Sequence, residues 1–325
     1  MRSIILLKTK QNKGFSLPVF LEFVEIKTKV ASFFPMMIGI LWSLYRYQKI
    51  DWLSTSLFAL AVLSFDMCTT AINNTMDYYK AHDMTYRETA NVVGKYQLKA
   101  KRVVEIIVGL LLFSILVSLG LVWQTDLVLL PMGIVCFLIG IFYTFGPLPL
   151  SRLPLGEVFS GLTMGFGIFF LAVFVQEPAL LVTSQWSKDI FSLHLAWKHC
   201  LEVLFMSLPL VCLIANIMLA NNICDLEEDL RNKRRTLVSY IGQKDSLLLY
   251  AALAFFPWVC WLLYGLTGFL PLWSLLGLVC AYPAYKSLRR FLKKQIKRET
   301  FIEAVKSFVL YSLLYSLTLL VALFF

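Results

Sequence analysis

Nine stretches of this chain are apolar for long enough to cross a membrane. They lie near residues 30–48, 53–74, 104–123, 127–146, 155–176, 202–221, 246–264, 267–285 and 304–325. A crossing helix needs about 20 such residues. Backbone inside lipid must satisfy its own hydrogen bonds, so stretches of this kind fold as helices. The expectation is an all-α polytopic membrane protein with nine transmembrane helices. Composition agrees: 59% of the 325 residues are hydrophobic and 15% charged, against about 25% charged in a soluble domain.

Lys and Arg orient the chain, because cytoplasmic segments retain them. Of the 30 basic residues, 25 lie before the first stretch, in the even-numbered links after the second, sixth and eighth, or at Arg152. The opposite side keeps only Arg46, Lys49, Lys188 and Lys198, and Lys306 opens the ninth stretch. The N-terminus and these links are expected in the cytoplasm of a bacterial cell, the protein being multi-pass in the plasma membrane. The net charge of +10 reflects this asymmetry beside an anionic leaflet and does not point to nucleic acid. Membrane lipids are the expected surroundings, and no protein partner is inferable. Ile4 to Leu7 is too short for a signal-peptide core. The seven Cys show no metal spacing, and those within the apolar stretches read as small buried hydrophobes.

Two of the cytoplasmic links open on the same phrase. One reads Asn73-Asn74-Thr75-Met76-Asp77, with Asp83 beyond; the other reads Asn221-Asn222-Ile223-Cys224-Asp225, with Asp229 beyond. Polar clusters at a membrane helix end are costly and mark functional sites. Carboxylates beside amides suit Mg²⁺, an oxygen-seeking ion that shares its shell with substrate phosphates. Asn222, Asp225 and Asp229 fall on one helical stripe, as do Asn74 and Asp77. Asp83 lies about 240° round an ideal helix from Asp77, so it joins them only where the helix ends between Tyr79 and His82. The motifs stand four spans apart, which suggests an internal repeat (spans 1–4 and 5–8, plus span 9) within a single domain, 1–325. Basic residues follow each motif: Arg87, Lys95 and Lys99 after the first, and Arg231, Lys233, Arg234 and Arg235 after the second. They could clamp a diphosphate.

Other polar residues invite a role. Asp66 lies about two helical turns before Asn73 and reads either as a helix-to-helix hydrogen-bonding group or as a pocket residue. The link from Tyr143 to Glu157 is rich in Pro and Gly. Broken backbone at that depth lines cavities, which makes Glu157 a pocket candidate. Glu22 and Glu25 are expected on a solvated helix face. In the outer loop, Trp186 and Trp197 suit the interface, and His194 and His199 are expected to be exposed. Lys286 to Lys306 reads as an amphipathic helix on the inner leaflet.

These residues resemble the UbiA-type intramembrane prenyltransferases, and among them the 1,4-dihydroxy-2-naphthoate polyprenyltransferase branch. The first motif is similar through Asn73, Asp77 and Asp83, with Asn74 where that branch usually carries Asp. The second is similar through Asn221, Asn222, Asp225, Asp229, Arg234, Arg235, Thr236 and Leu237. Tyr143-Thr144-x-Gly146-Pro147 with Gly156-Glu157 also looks like that branch. The resemblance implies nine helices around a central cavity, and a Mg²⁺-dependent enzyme, with two ions expected. Its substrates would be a polyprenyl diphosphate and an aromatic acid, and its product demethylmenaquinone. Asp77, Asp83, Asp225, Asp229, Asn73 and Asn221 would hold metal. Asn74, Asn222, Lys95, Arg152, Arg234 and Arg235 would support the diphosphate, and Asp66, Tyr143 and Glu157 the acceptor pocket. Tyr78, Tyr79 and Tyr143 are candidate aromatic faces toward an allylic cation.

Three rivals stand beside this reading. One is the same chemistry on another acceptor, such as hydroxybenzoate, homogentisate or a porphyrin. Another is a transporter with a repeat-built cation site. The third is a non-catalytic lipid-binding relative.

Overall fold

The structure, a computed structural model, describes residues 15–81, 84–146, 149–231 and 234–324, and the backbone alone of Arg152. A short helix, α1 (Leu17–Phe23), leads through a left-handed Glu25 and a 3-10 turn to α2 (Val30–Tyr47). Then come α3 (Trp52–Lys80), a one-turn α4 (Val92–Lys95), α5 (Ala100–Gln124) and α6 (Leu129–Thr144). The next span, Gly156–Phe174, is α7 (Gly156–Ser160) and α8 (Ile168–Phe174) joined by a π-helical stretch. α9 (Trp197–Cys224), α10 (Leu226–Arg231), α11 (Leu237–Leu266), α12 (Ala281–Lys293) and α13 (Phe301–Ala322) complete the bundle.

Among the described residues, seven helices are long and apolar enough to cross a membrane. The two remaining expected spans differ from the others. α6 is apolar but has only 16 residues. The eighth stretch is a 3-10 helix, Leu272–Cys280, running into α12. Apolarity alone does not separate a 3-10 path from an α path. The amphipathic helix expected over 286–306 instead starts earlier and stops at Lys293. It buries Ala284, Ser287 and Phe291 and turns Lys286, Arg289, Arg290 and Lys293 outward. The loop between α8 and α9 holds a structure the apolar pattern did not show: an antiparallel hairpin of β1 (Val182–Ser187) and β2 (Ile190–Leu195).

The bundle closes around α9, which packs on α2, α7, α8, α10, α11, α13 and the π-helical stretch. Gly161 and Gly165 bring the π-helical stretch close against α9. A Cβ on Gly165 would sit 2.5 Å from the backbone nitrogen of Val211, and one on Gly161 2.7 Å from its carbonyl oxygen. Where lipid is as apolar as any side chain, small residues of this kind let helices touch. α11 is broken at Gly242, whose φ of 80° and ψ of 165° leave the helical region. Its long membrane segment therefore begins only after that residue, close to the apolar limit read at 246. The central core includes Trp42, Phe169, Phe174, Leu210, Trp261, Tyr311 and Tyr315.

Two polar groups differ from their expected state. Lys29 is not a solvated cytoplasmic charge but is 6% exposed. Its ammonium donates to Asp66 Oδ1 at 2.6 Å and to Thr70 Oγ1 at 2.6 Å. His199 is half-buried, not exposed. Its Nδ1 lies 3.0 Å from the Leu180 carbonyl, and its ring lies against Tyr47. His194 is exposed as expected.

Candidate active site

The first motif sits at the end of α3. That helix stops at Lys80, and Ala81 is already extended (ψ 126°), a break within the interval that Asp83 requires. Asp83 itself lies outside the described residues. Asn73 and Asp77, four apart on the last turns, share one face and are both half-buried. The link folds back through a π-helical turn, Tyr86–Ala90. Asn91 then caps α4 by accepting from the Val93 amide at 2.9 Å, and its own amide donates to the Asn74 carbonyl at 2.9 Å. One side chain thus pins the returning link to the helix carrying the motif.

Asn74 is occupied differently from its sequence assignment. It is 7% exposed. Its Nδ2 donates to the Phe23 carbonyl at 2.9 Å and to Glu25 Oε1 at 3.1 Å. Asn74 therefore ties the N-terminal segment to α3. Glu25 is its half-buried partner rather than a solvated charge. Glu22 is likewise engaged: Lys95 Nζ and Tyr96 Oη both donate to its carboxylate. The Lys95 hydrogen bond holds Glu22 below the usual carboxylate range, and the same bond raises Lys95. Lys95, expected at the diphosphate, is thus paired with α1.

These contacts make a definite prediction for Asn74→Asp. A carboxylate cannot donate to the Phe23 carbonyl, and it would sit at hydrogen-bond distance from Glu25. A lost bond to a buried acceptor costs about 1–3 kcal/mol. We expect a lower unfolding temperature, with the Mg²⁺ dependence of any activity unchanged. Adding Glu25→Gln, whose amide can donate to the new Asp, should recover the part lost to repulsion between the two carboxylates. A shifted Mg²⁺ titration with intact stability would instead place Asn74 at the metal-diphosphate site.

The second motif sits at the end of α9. Asp225 occupies the C-cap (φ −98°, ψ 6°), and its carbonyl accepts from the Asp229 amide at 2.8 Å. This break splits the stripe expected for Asn222, Asp225 and Asp229. Asn221 faces Asp225, its Nδ2 donating to Oδ2 at 3.3 Å. Asn221 Oδ1 and Asp225 Oδ2 also both accept from the ammonium of Lys297. Asn222 instead turns inward, 1% exposed, and donates to Glu157 Oε1 at 2.8 Å. Asp229 is 5% exposed and lies 3.5 Å from Arg234 Nη1. Burial pushes the Asp229 carboxyl up to about 6; Arg234 opposes the rise and Asp225 adds to it.

Arg234 also spans to the link before α7. Its Nε and Nη2 donate to the Ser151 carbonyl at 3.3 and 3.0 Å. Tyr143 Oη reaches the Gly156 carbonyl at 3.4 Å and lies in the field of Arg234 and Glu157. Tyr143, Glu157, Asn222, Arg234 and Asp229 thus form one cluster. Arg235 is exposed, and the side chain of Arg152 lies outside the described residues. Tyr78 carries the Arg87 guanidinium 4.5 Å over its ring, and Tyr79 is exposed.

Tyr86 of the first link lies in the field of carboxylates from both links. Burial raises its phenol, and the charges of Asp77 and of Glu228 and Glu25 raise it further. A residue of the first link therefore feels carboxylates from both motifs. Asp66 does not belong to this group. Ser32 Oγ donates to its Oδ2 at 2.5 Å and Lys29 holds its Oδ1, so it joins α2 to α3. Lys297 and Tyr86 escaped the sequence reading. Lys297 lies 76 residues from Asn221 in a link crowded with cations, where nothing local sets it apart.

The donors fit a hard divalent ion. Asn221 Oδ1 and Asp225 Oδ2 already converge on one cation, the Lys297 ammonium. Asp229 Oδ2, Asn222 Oδ1 and Glu157 Oε2 are buried acceptors without a hydrogen-bond partner among the described residues. No group of three or more His, Cys, Asp or Glu among the described residues forms a protein-only cage. Mg²⁺ needs none, since it is ordinarily held by one or two carboxylates together with substrate phosphates.

A multi-pass helical bundle with carboxylate-amide motifs closing two of its helices defines an intramembrane protein built around a polar site. The UbiA prenyltransferase family profile matches residues 32–313, and the chain belongs to that family. A 1,4-dihydroxy-2-naphthoate octaprenyltransferase of Bacillus subtilis (strain 168) is 28% identical over 228 residues, 69% of this chain and 66% of that protein. The chain thus spans just under two thirds of that relative's length. A UbiA homolog from Aeropyrum pernix K1, solved in the apo state, superposes with a TM-score of 0.66 at 15% identity, covering 89% of this chain and 97% of that one. A UbiA homolog from Archaeoglobus fulgidus bound to GPP and Mg²⁺ gives 0.62 at 12% identity, covering 94% and 100%. At these identities the two structures establish the shared fold.

Proposed function

We propose that this protein transfers a polyprenyl group from a polyprenyl diphosphate to 1,4-dihydroxy-2-naphthoate. The observation that carries the reading is the convergence of Asn221 Oδ1 and Asp225 Oδ2 on one cation, near a buried polar cluster whose Glu157 Oε2 and Asn222 Oδ1 have no hydrogen-bond partner among the described residues. The named relative favours naphthoate among the aromatic acids, as does the Tyr143 to Glu157 stretch. The relative solved with GPP and Mg²⁺ favours a metal-diphosphate site.

In this reading Asn73, Asp77, Asp83, Asn221, Asp225 and Asp229 hold two Mg²⁺ ions. When bound, the ions offset the charge that gathers on the departing diphosphate. Arg234 fixes the second link to Ser151 and places a cation beside Asp229. Asn222 holds one oxygen of Glu157 and leaves the other to accept from a hydroxyl of the acceptor ring, which orients it. The allylic C–O bond breaks with its electron pair going to diphosphate. The ring carbon bearing the carboxylate takes the prenyl group, and loss of CO₂ restores the aromatic ring. The product is the reduced form of demethylmenaquinone, and no oxidant is consumed. The surrounding bundle excludes water that would quench the allylic cation. The N-terminus and both motif links face the cytoplasm, the bundle lies in the plasma membrane, and the chain acts as one domain with a repeated motif.

Purified protein should be given Mg²⁺, a polyprenyl diphosphate and a panel of aromatic acids, with products read by mass spectrometry. The expected product has the mass of prenylated naphthoate less CO₂ and is absent with chelator. A product from hydroxybenzoate alone would reassign the acceptor. Full turnover in chelator would reject the metal site, and substrate flux without product would favour a transporter.

A further inference from the structure

Lys297 is built into the second motif from outside it. It lies in the turn between α12 and α13, and that turn is well tied. Gln295 Nε2 donates to the Phe291 and Leu292 carbonyls at 2.6 and 2.9 Å, and Phe291 is fully buried. The Ile296 amide donates to Thr300 Oγ1 at 2.9 Å, and the Thr300 amide returns to the Ile296 carbonyl at 2.8 Å. Lys294 pairs with Glu299 at 2.7 Å across the same turn. A fixed turn thus carries one flexible lysine stem onto Asn221 and Asp225, with its ammonium 5.3 Å from the Phe301 ring centre. The same ammonium acts on the field at Asp229.

We propose that Lys297 is the resident counter-ion of the second motif, exchanged for divalent metal when the diphosphate binds. The inference rests on the metal-diphosphate reading. Without metal, Asp225, Glu228 and Asp229 repel one another, and the ammonium offsets this. An ammonium and a divalent ion cannot share Asn221 Oδ1 and Asp225 Oδ2, so the ion must displace the lysine. A lysine is a point charge on four methylenes and can swing without moving its backbone. The arriving diphosphate supplies the charge that receives it. Metal alone therefore binds weakly, metal and diphosphate bind with mutual dependence, and Lys297 becomes a diphosphate contact only in the loaded site.

The test measures Mn²⁺ binding to the full chain in nanodiscs by electron paramagnetic resonance, with no turnover. Wild type, Lys297→Gln, Lys297→Arg and Lys293→Gln are compared, the last removing an exposed charge of the same basic run. Without diphosphate, Lys297→Gln should bind Mn²⁺ about tenfold more tightly than wild type, within the usual range of coupling between two sites. Lys297→Arg and Lys293→Gln should stay within about twofold of wild type on the same scale. With an unreactive thiolodiphosphate analogue and Mn²⁺ present, Lys297→Gln should lose about tenfold in analogue affinity, the other side of that coupling. Equal Mn²⁺ affinity in wild type and Lys297→Gln overturns the exchange. An equal gain in Lys293→Gln also overturns it, because it shows a general field effect. No Mn²⁺ binding by any protein, with or without analogue, overturns the metal-diphosphate reading itself.

Discussion

Asp225→Asn should lower the prenyl-transfer rate at saturating Mg²⁺ by at least about 100-fold, the scale of losing one electrostatic contact to developing charge. The substitution keeps the shape of the side chain and removes its charge. In the structure that charge faces Asn221 and the Lys297 ammonium from the C-cap of α9, so its loss falls on the position where two oxygens converge on a cation. Asp77→Asn should act in the same direction, because Asp77 is the corresponding carboxylate of the first motif, half-buried on the last turns of α3. Stability should not fall with Asp225→Asn. Asp225 raises the buried Asp229 carboxyl, and an amide relieves that repulsion. The informative pattern is a large loss of rate with an unchanged melting temperature. A rate within about threefold of wild type would remove Asp225 from the transition state, since even one modest contact there is worth more.

The helical class was legible because lipid allows a spanning backbone few alternatives. The motif positions were legible for a related reason: an Asn-Asn-x-x-Asp phrase cannot continue an apolar helix, so α3 and α9 end within it or just beyond. Glu157, singled out by the broken link before it, lies beside Asn222. The illegible parts depend on contacts between distant segments. The Asn74 amide resembles a motif ligand until Phe23 and Glu25, about 50 residues earlier, arrive to take its donors. Helical spacing placed Asn222 with Asp225, but Asn222 turns inward to Glu157 and it is Asn221 that lies against Asp225. The hairpin of β1 and β2 lies in a loop where hydropathy carries no signal. Lys297 could not be chosen among neighbouring cations without knowing which one the turn after α12 aims at Asn221.

Breaking the Lys29–Asp66 pair should cost the most stability of any change considered. The sequence placed Asp66 either in the pocket or between helices, and the contacts favour the second. Lys29 and Asp66 side chains are 7% and 15% exposed and 2.6 Å apart. Ser32 donates to the other Asp66 oxygen, and Lys29 also donates to Thr70 and to the Asp66 carbonyl. A buried pair gains from its Coulomb term only what desolvation leaves, yet removing one partner strands the other, at a cost of about 3–5 kcal/mol. Lys29→Met should therefore destabilise the protein strongly, because Ser32 alone then faces a carboxylate at membrane depth. Asp66→Leu should destabilise it comparably by stranding the ammonium. The double variant should recover most of the loss, since two apolar groups of similar volume need no partner. Thermal unfolding in detergent gives the order, and initial rates measured well below each melting temperature separate the alternatives. An interhelical role predicts large stability changes with near-normal rates in the surviving folded protein. A pocket role predicts the reverse: Asp66→Asn, which keeps the side-chain shape and a donor-acceptor pair, would then leave melting unchanged and abolish turnover.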